Sequence, residues 1–313
     1  METATCVKHF TLILVSLLII PNPGCNEELE GESPIASILN VLTVTANSIV
    51  FADLSGEYYF VLRDNNGRRL YTKRGETQID AQGKVVTPDG YFVQGYPVDE
   101  AFNIDGSHVE DIAVPVGTLT VKQATTRLVF GGYLSLGDTP QGASLAPVPV
   151  QVYDAGGAPV DLVVTMTLTT VSSTTAVWKL SVSYSQAAEE IGSEVYAFDN
   201  ETGLMRGDPK FSAVLASSQQ IRFDLNAITG DVTRITTFYL ASSDGYPLGT
   251  LASFAVQSGG TVVGTFDNTV EQTLAQFAVT QISNPETLVS EGGGVFSAGP
   301  GTTGPGILPP VSP

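Results

Sequence analysis

Cysteine, histidine and positive charge are scarce in this chain of 313 residues, and each scarcity removes a class of function. Cys6 and Cys25 are the only cysteines, and both fall in the first 25 residues. The body therefore has neither a disulfide framework nor a thiolate metal site. His9 and His108 are the only histidines, which excludes a metal site built on two body imidazoles and a Cys–His nucleophile pair. A Ser–His–Asp triad would have to use His108, and no Gly-x-Ser-x-Gly elbow accompanies it. With 14 basic residues against 32 acidic ones, the formal charge of −18 argues against nucleic acid and anionic membrane surfaces as partners. The apolar run Phe10–Ile20 is shorter than the ~20 residues a membrane-spanning helix needs. No base, nucleophile or metal cluster converges. Enzymatic chemistry is the least supported class, and no cofactor or metal is expected.

What is present is β-forming. Hydrophobic residues make up 42% and charged ones 15%, with 32 glycines and abundant Thr and Val, a composition that suits an exported all-β protein. The length allows two domains with real cores. The organising stretch is Tyr71–Pro97, short strands separated by turns of specified chemistry. Asp80-Ala81-Gln82-Gly83 puts Asp first and Gly fourth; Thr87-Pro88-Asp89-Gly90 adds Pro at the second position. Upstream, Asp64-Asn65-Asn66-Gly67 ends in Asn-Gly and predicts a hairpin between Tyr58–Arg63 and Arg68–Tyr71.

Taken in order, residues 1–24 read as an export signal, with Lys8 ahead of the apolar run. Gly24-Cys25 is similar to the end of a bacterial lipoprotein signal, which would make Cys25 a lipidation site and the only membrane attachment; ordinary cleavage, or a misassigned start codon, is the alternative. Residues 25–36 are an acidic linker. Ile38–Val50 fits a helix face through Ile38, Leu39 and Leu42, and equally a strand through Leu42, Val44 and Ala46. After Gly137–Pro147, rich in small residues, a second β unit shows cleaner alternation. Val148, Val150 and Val152 share one face, Val160–Leu168 repeat it, and Trp178, Leu180, Val182 and Tyr184 repeat it again. Trp178 at such a position reads as core rather than as a ligand-stacking residue. The acidic stretch Ala187–Pro209 reads as a long solvated loop, and Asn226–Asp231 as a turn. Gly299–Gly304 matches Gly-x-Gly-x-x-Gly with no helix after it, so residues 299–313 read as a Gly/Pro-rich tail.

The ordered series of motifs resembles the bacterial flagellar hook protein family and its rod relatives. Tyr71-Thr72-Lys73-Arg74-Gly75, Asp80, Gly83, Gly90 and Gln94-Gly95-Tyr96 follow that family's early pattern, with Lys73 interposed between Thr72 and Arg74. Val152-Tyr153-Asp154-x-x-Gly157 followed by Trp178 is similar to its outer domain. Asp244-Gly245-Tyr246-x-x-Gly249 and Asn284-Pro285-x-x-Leu288 are similar to its later segments. The resemblance implies an all-β fold of two β-rich domains, sandwich- or barrel-like. An inner domain would come from 37–141 plus 238–298, and an outer one from the inserted 142–237. It also implies a structural axial role, hook- or rod-like, with flagellar or self subunits as partners, outside the cell and without catalysis. Long heptad-patterned helices would be expected at both ends. Here the first residues read as a leader, and GPGILPPVSP cannot be helical, so a hook-type body without those polymerisation helices is expected. The alternative is a surface-exposed or lipid-anchored binding protein that reuses the fold without polymerising.

Overall fold

The computed structural model describes residue 39 and residues 41–310, apart from 46, 136–138, 188, 232, 233, 304 and 305. The leader, the acidic linker and Cys25 lie outside the described residues. Among the described residues the regular structure is strand throughout, save one 3-10 turn at Pro285–Thr287.

The strands gather around two separate apolar cores. The first binds both halves of the sequence into one sheet. Leu288–Gly292, Val295–Ala298, Arg69–Thr72, Tyr58–Arg63, Phe92–Tyr96, Glu271–Phe277, Thr261–Phe266, Tyr246–Val256 and Thr120–Gln123 lie side by side in that order. Early and late strands must therefore meet before this core exists. Phe51, Phe60 and Phe277 pack together in it: the Phe51 ring lies 5.3 Å from Phe60, tilted, and 4.7 Å from Phe277, edge-on, arrangements that suit aromatic quadrupoles. The ambiguous segment upstream is a hairpin of Val41–Thr45 and Ser48–Phe51 that delivers Ile49 and Phe51 into this core.

The second core lies between two sheets. Val148–Tyr153, Pro159–Val171, Thr175–Tyr184, Glu190–Asp199 and Met205–Arg206 form one. The other has the order Lys210–Val214, Gln220–Asp231, Arg127–Ser135, Thr237–Ser243. Arg127–Ser135 and Gln220–Asp231 run parallel, and a parallel pair needs a crossover; here the whole five-stranded sheet supplies it. Leu162, Val164, Met166, Leu168, Trp178, Leu180 and Val182 face Leu128, Phe130, Ile221, Phe223 and Leu225 across the interior. Strict period-two alternation produced that inner face, as half-buried strands require.

Four readings from the sequence change. The second core claims Leu128, Phe130 and Leu134, with Phe238 and Leu240 packed against it. The changeover between cores thus lies between Val121 and Leu128 and again between Leu240 and Tyr246, not at 141 and 238. Gly131 and Gly132 hid this strand by interrupting its apolar pattern. Within Ala187–Pro209, Glu190–Asp199 is a strand paired along Thr175–Tyr184, because Tyr196 and Phe198 alternate inward while its carboxylates face solvent. Asn226–Asp231 continues the strand Gln220–Asp231 past an irregular register, with Ile228 buried. Finally, the tail contains the strand Gly306–Ile307, paired with Val279–Gln281.

Candidate functional site

The residues singled out by motif fall into three groups, each a place where separate segments approach closely. The first joins the organising stretch to the late glycines. Arg74 Nη1 donates to the Gly293 carbonyl at 3.0 Å, and Thr72 Oγ1 donates to the Gly294 carbonyl at 3.0 Å. The amide of Gly75 donates to Asp53 at 3.0 Å, and a Cβ on Gly75 would overlap the Phe51 backbone. Nearby, Asn284 holds the chain after the last turn: its Nδ2 donates to the Gly301 carbonyl at 2.7 Å, and its Oδ1 accepts from Thr303. Pro285 opens the short 3-10 turn behind it, where its missing N–H costs nothing.

The second group is the turns. In Asp80–Gly83 the Gly83 amide donates to the Asp80 carbonyl at 3.0 Å, while Asp80 Oδ1 accepts from the Gln82 and Lys84 amides. Gly83 has φ +79° and lies against Pro115, so both its backbone and its missing side chain matter. Asp64, Asp99 and Asp154 repeat the same carboxylate-to-amide pattern. Thr87–Gly90 does so through a hydroxyl, with Gly90 at φ +82° in open space. Gly95 differs. It sits within the strand Phe92–Tyr96, where a Cβ would overlap the Gln276 carbonyl oxygen and press to 2.6 Å from Ile112.

The third group is the junction between the two cores. The turn Asp154–Gly157 meets the segment at Asp244–Gly249 there. Gly157 packs against the Leu248 backbone, Gly245 against Thr125, and Gly249 against the side chain of Asn268. Tyr246 packs on the first core. Gln219 and Thr125, which belong to no motif, complete the junction together with Tyr153 and Asp244, which do. Gln219 Nε2 donates to the Thr125 and Tyr153 carbonyls at 2.7 and 3.0 Å. Thr125 and Tyr153 exchange two further hydrogen bonds, each 2.9 Å. Asp244 accepts from the amides of Thr126 and Arg127 at 2.9 Å and from the Thr126 hydroxyl. Burial works to raise the Asp244 pKa, and these donations outweigh it, holding the carboxyl below its usual range.

A charged cluster went unseen in the sequence. Asp111 accepts from Arg63 Nε and Nη2 at 2.7 and 2.6 Å, from Lys84 Nζ at 2.7 Å and from Gln94 Nε2 at 2.7 Å. Both cations also face the Phe92 ring, at 4.6 and 5.0 Å from its centroid. The Arg63 guanidinium first, then burial against it, then Lys84 and Gln94, leave the Asp111 carboxyl held well below the usual range. Partners up to 48 residues apart left no local signal. Trp178, fully buried, lies cross-strand from Tyr196, whose hydroxyl burial pushes well above the ordinary tyrosine value. Among the described residues no group of three or more His, Cys, Asp or Glu could hold a metal ion.

Residues 53–128 match the model of one protein family, described as the flagellar hook protein FlgE/F/G D1 domain. The flagellar hook protein FlgE of Salmonella typhimurium is 25% identical over 276 residues, covering 78% of this chain and 64% of that protein. FlgE of Borreliella burgdorferi is 24% identical over 284 residues, with 76% and 62% covered. The chain thus spans less than two thirds of the length of these relatives. Among solved structures, the Helicobacter pylori flagellar hook protein FlgE2 superposes with a TM-score of 0.59 at 12% identity, over 78% of this chain and 91% of that one; this likeness is one of fold.

Proposed function

We propose that this chain, which is similar to the flagellar hook proteins and whose residues 53–128 match the model of their D1 domain, is a structural axial component of the bacterial flagellum, hook-like or rod-like. The observation that carries the reading is an alignment spanning 276 residues, long enough to run through both cores. The role is mechanical. Two β units joined at the Thr125–Gly157–Gly245 junction present surfaces to neighbouring subunits, and the site residues Arg74, Gly75, Gly95, Gly157, Gly245 and Asn284 act by fixing backbone approaches. The protein works outside the cell, with other copies or other flagellar subunits as partners.

Purified hook–basal bodies from the native cell, labelled with an antibody raised against the chain, test this. Labelling along the axial structure is the expected result. Labelling confined to the envelope, with none on the isolated organelle, would remove the flagellar role. Gly24-Cys25 after the apolar run Phe10–Ile20 favours a second reading, a lipid-anchored surface protein built on the same fold. In that case Cys25→Ser moves the protein out of the membrane fraction, and intact mass loses an acyl group.

A further inference from the structure

The segment Gly306–Pro310 lies as a strap across the first unit. It pairs with Val279–Gln281 in a ladder two residues long, Thr280 opposite Ile307 and Gln281 opposite Gly306. The Leu308 amide donates to the Val279 carbonyl at 2.9 Å, and Thr280 Oγ1 donates to the Gly306 carbonyl at 3.1 Å. From the other side the Tyr96 hydroxyl donates to the Leu308 carbonyl at 2.7 Å. Ile307 fills a notch of Val61, Tyr96 and Ala278, and Pro310 packs on Gly106. On its opposite edge Val279–Gln281 pairs with Tyr58–Arg63, so among the described residues the strap is what covers its remaining edge.

Two properties of this seat belong together. The strap is held by few bonds, and segments so held open locally long before the whole fold does. Once it lifts, an edge strand and an apolar notch stand exposed, which is a template for an added strand. The structure shows which sequence the seat accepts, because the chain's own segment occupies it. An identical segment on a second copy can make every one of the same bonds, and exchange of identical elements is the low-cost route to linked copies.

We propose that the edge of Val279–Gln281, with its Tyr96 notch, is a strand-exchange site that accepts Gly306–Pro310 from a second copy of this chain. The proposal stands apart from the flagellar role, since it needs only two copies at high local concentration.

The test uses the full-length chain carrying Ile307→Asp, whose own strap seats poorly, and a fluorescent synthetic peptide of residues 299–313. Fluorescence anisotropy is expected to show the peptide binding the folded variant at least about tenfold more tightly than the unsubstituted chain, whose seat is filled in cis. A folded variant that captures no peptide, or equal capture by both chains, overturns the proposal. A second measurement covers a variant that fails to fold. Two full-length chains are mixed, both with Cys6→Ser and Cys25→Ser, one carrying Thr280→Cys and the other Ile307→Cys. A disulfide between the two chains is the expected product. If a bridge forms only when both cysteines share one chain, the strap is a fixed part of its own subunit and the proposal fails.

Discussion

The two units, labelled outer (around Trp178) and inner (around Phe51, Phe60 and Phe277) after the domains expected from the sequence, bury their strands by opposite means. The outer one relies on repetition: long strands, period-two faces and an interior of aliphatic and aromatic side chains around Trp178. The inner one has shorter strands drawn from both halves of the chain, and around its own apolar core it adds turns, glycine contacts and polar clusters such as Arg63–Asp111–Lys84. A period-two core tolerates change at its surface and suffers where volume is lost. A unit assembled by close backbone approach suffers where volume is gained. The difference can be broken or sharpened by substitution, with calorimetry resolving the two transitions and the single Trp178 reporting on the outer one.

Trp178→Ala should have the largest effect. It empties the centre of the outer core and is expected to cost that unit about 3–5 kcal/mol, with the inner transition in place. Gly95→Val is the converse. The added side chain has no room between Gln276 and Ile112, so the inner unit should lose about 1–3 kcal/mol while Trp178 emission melts as before. Gly90→Val adds atoms into open space and should cost only the strain of a β-branched residue at φ +82°, about 1–2 kcal/mol. Equal losses for Gly95→Val and Gly90→Val would show that close approach is not what Gly95 provides.

The same contrast explains what could be read from the sequence. Alternation from Val148 to Tyr184 announced the outer sheet because each side chain reports its own face. Asp-x-x-Gly announced the turns at Asp64, Asp80 and Asp154 because the Asp carboxylate and the Gly φ act within five residues. Pairing is a different matter. Nothing local tells Arg127–Ser135 that it lies parallel to Gln220–Asp231, or tells Asp111 that Arg63 and Lys84 are waiting. Strand Glu190–Asp199 was hidden because its outward face carries the carboxylates of a loop, and only Tyr196 and Phe198 betray the inward one. Of the junction, the motif glycines were legible. Thr125 and Gln219 were not, since a buried amide bridging two carbonyls leaves no spacing signature.

Acid should separate the units through Asp111. Its folded carboxyl titrates below the ordinary value of ~3.9, so its contribution is fully present above that pH and is lost as pH falls toward the folded value. Carboxylates elsewhere are also held low, Asp199 and Asp224 among them, so the comparison must be with Asp111→Asn. The variant's inner transition should lie below the unsubstituted one at pH 7, because Arg63 and Lys84, which share the Asp111 carboxylate, are left side by side at Phe92 without a compensating charge. The gap should then narrow as pH drops from 5 toward 2. A gap that stays constant with pH would mean the cluster acts by packing, not by charge.

The smallest expected effect has the opposite sign and lets the two units be compared on one element. Each contains a turn of the same geometry in which a non-glycine residue holds the left-handed position: Thr269 at φ +67° in the inner unit and Ser218 at φ +65° in the outer. In each, the amide donates to the carbonyl three residues back, Phe266 at 2.9 Å and Leu215 at 2.8 Å, as the glycine turns do. Both side chains are exposed, so replacement removes little packing. Glycine relieves left-handed strain worth about 1–2 kcal/mol but restores freedom to the unfolded chain worth about 0.5–1 kcal/mol. Thr269→Gly should therefore raise the inner midpoint by the equivalent of ~0.5–1 kcal/mol. Ser218→Gly should raise the outer one by less, because serine lacks the β-branch that crowds this conformation. A Thr269→Gly chain that melts lower than the parent would mean that the Phe266–Val270 turn is held by its side chain, and that the inner unit's turns are not governed by backbone conformation as Gly83 and Gly90 suggest.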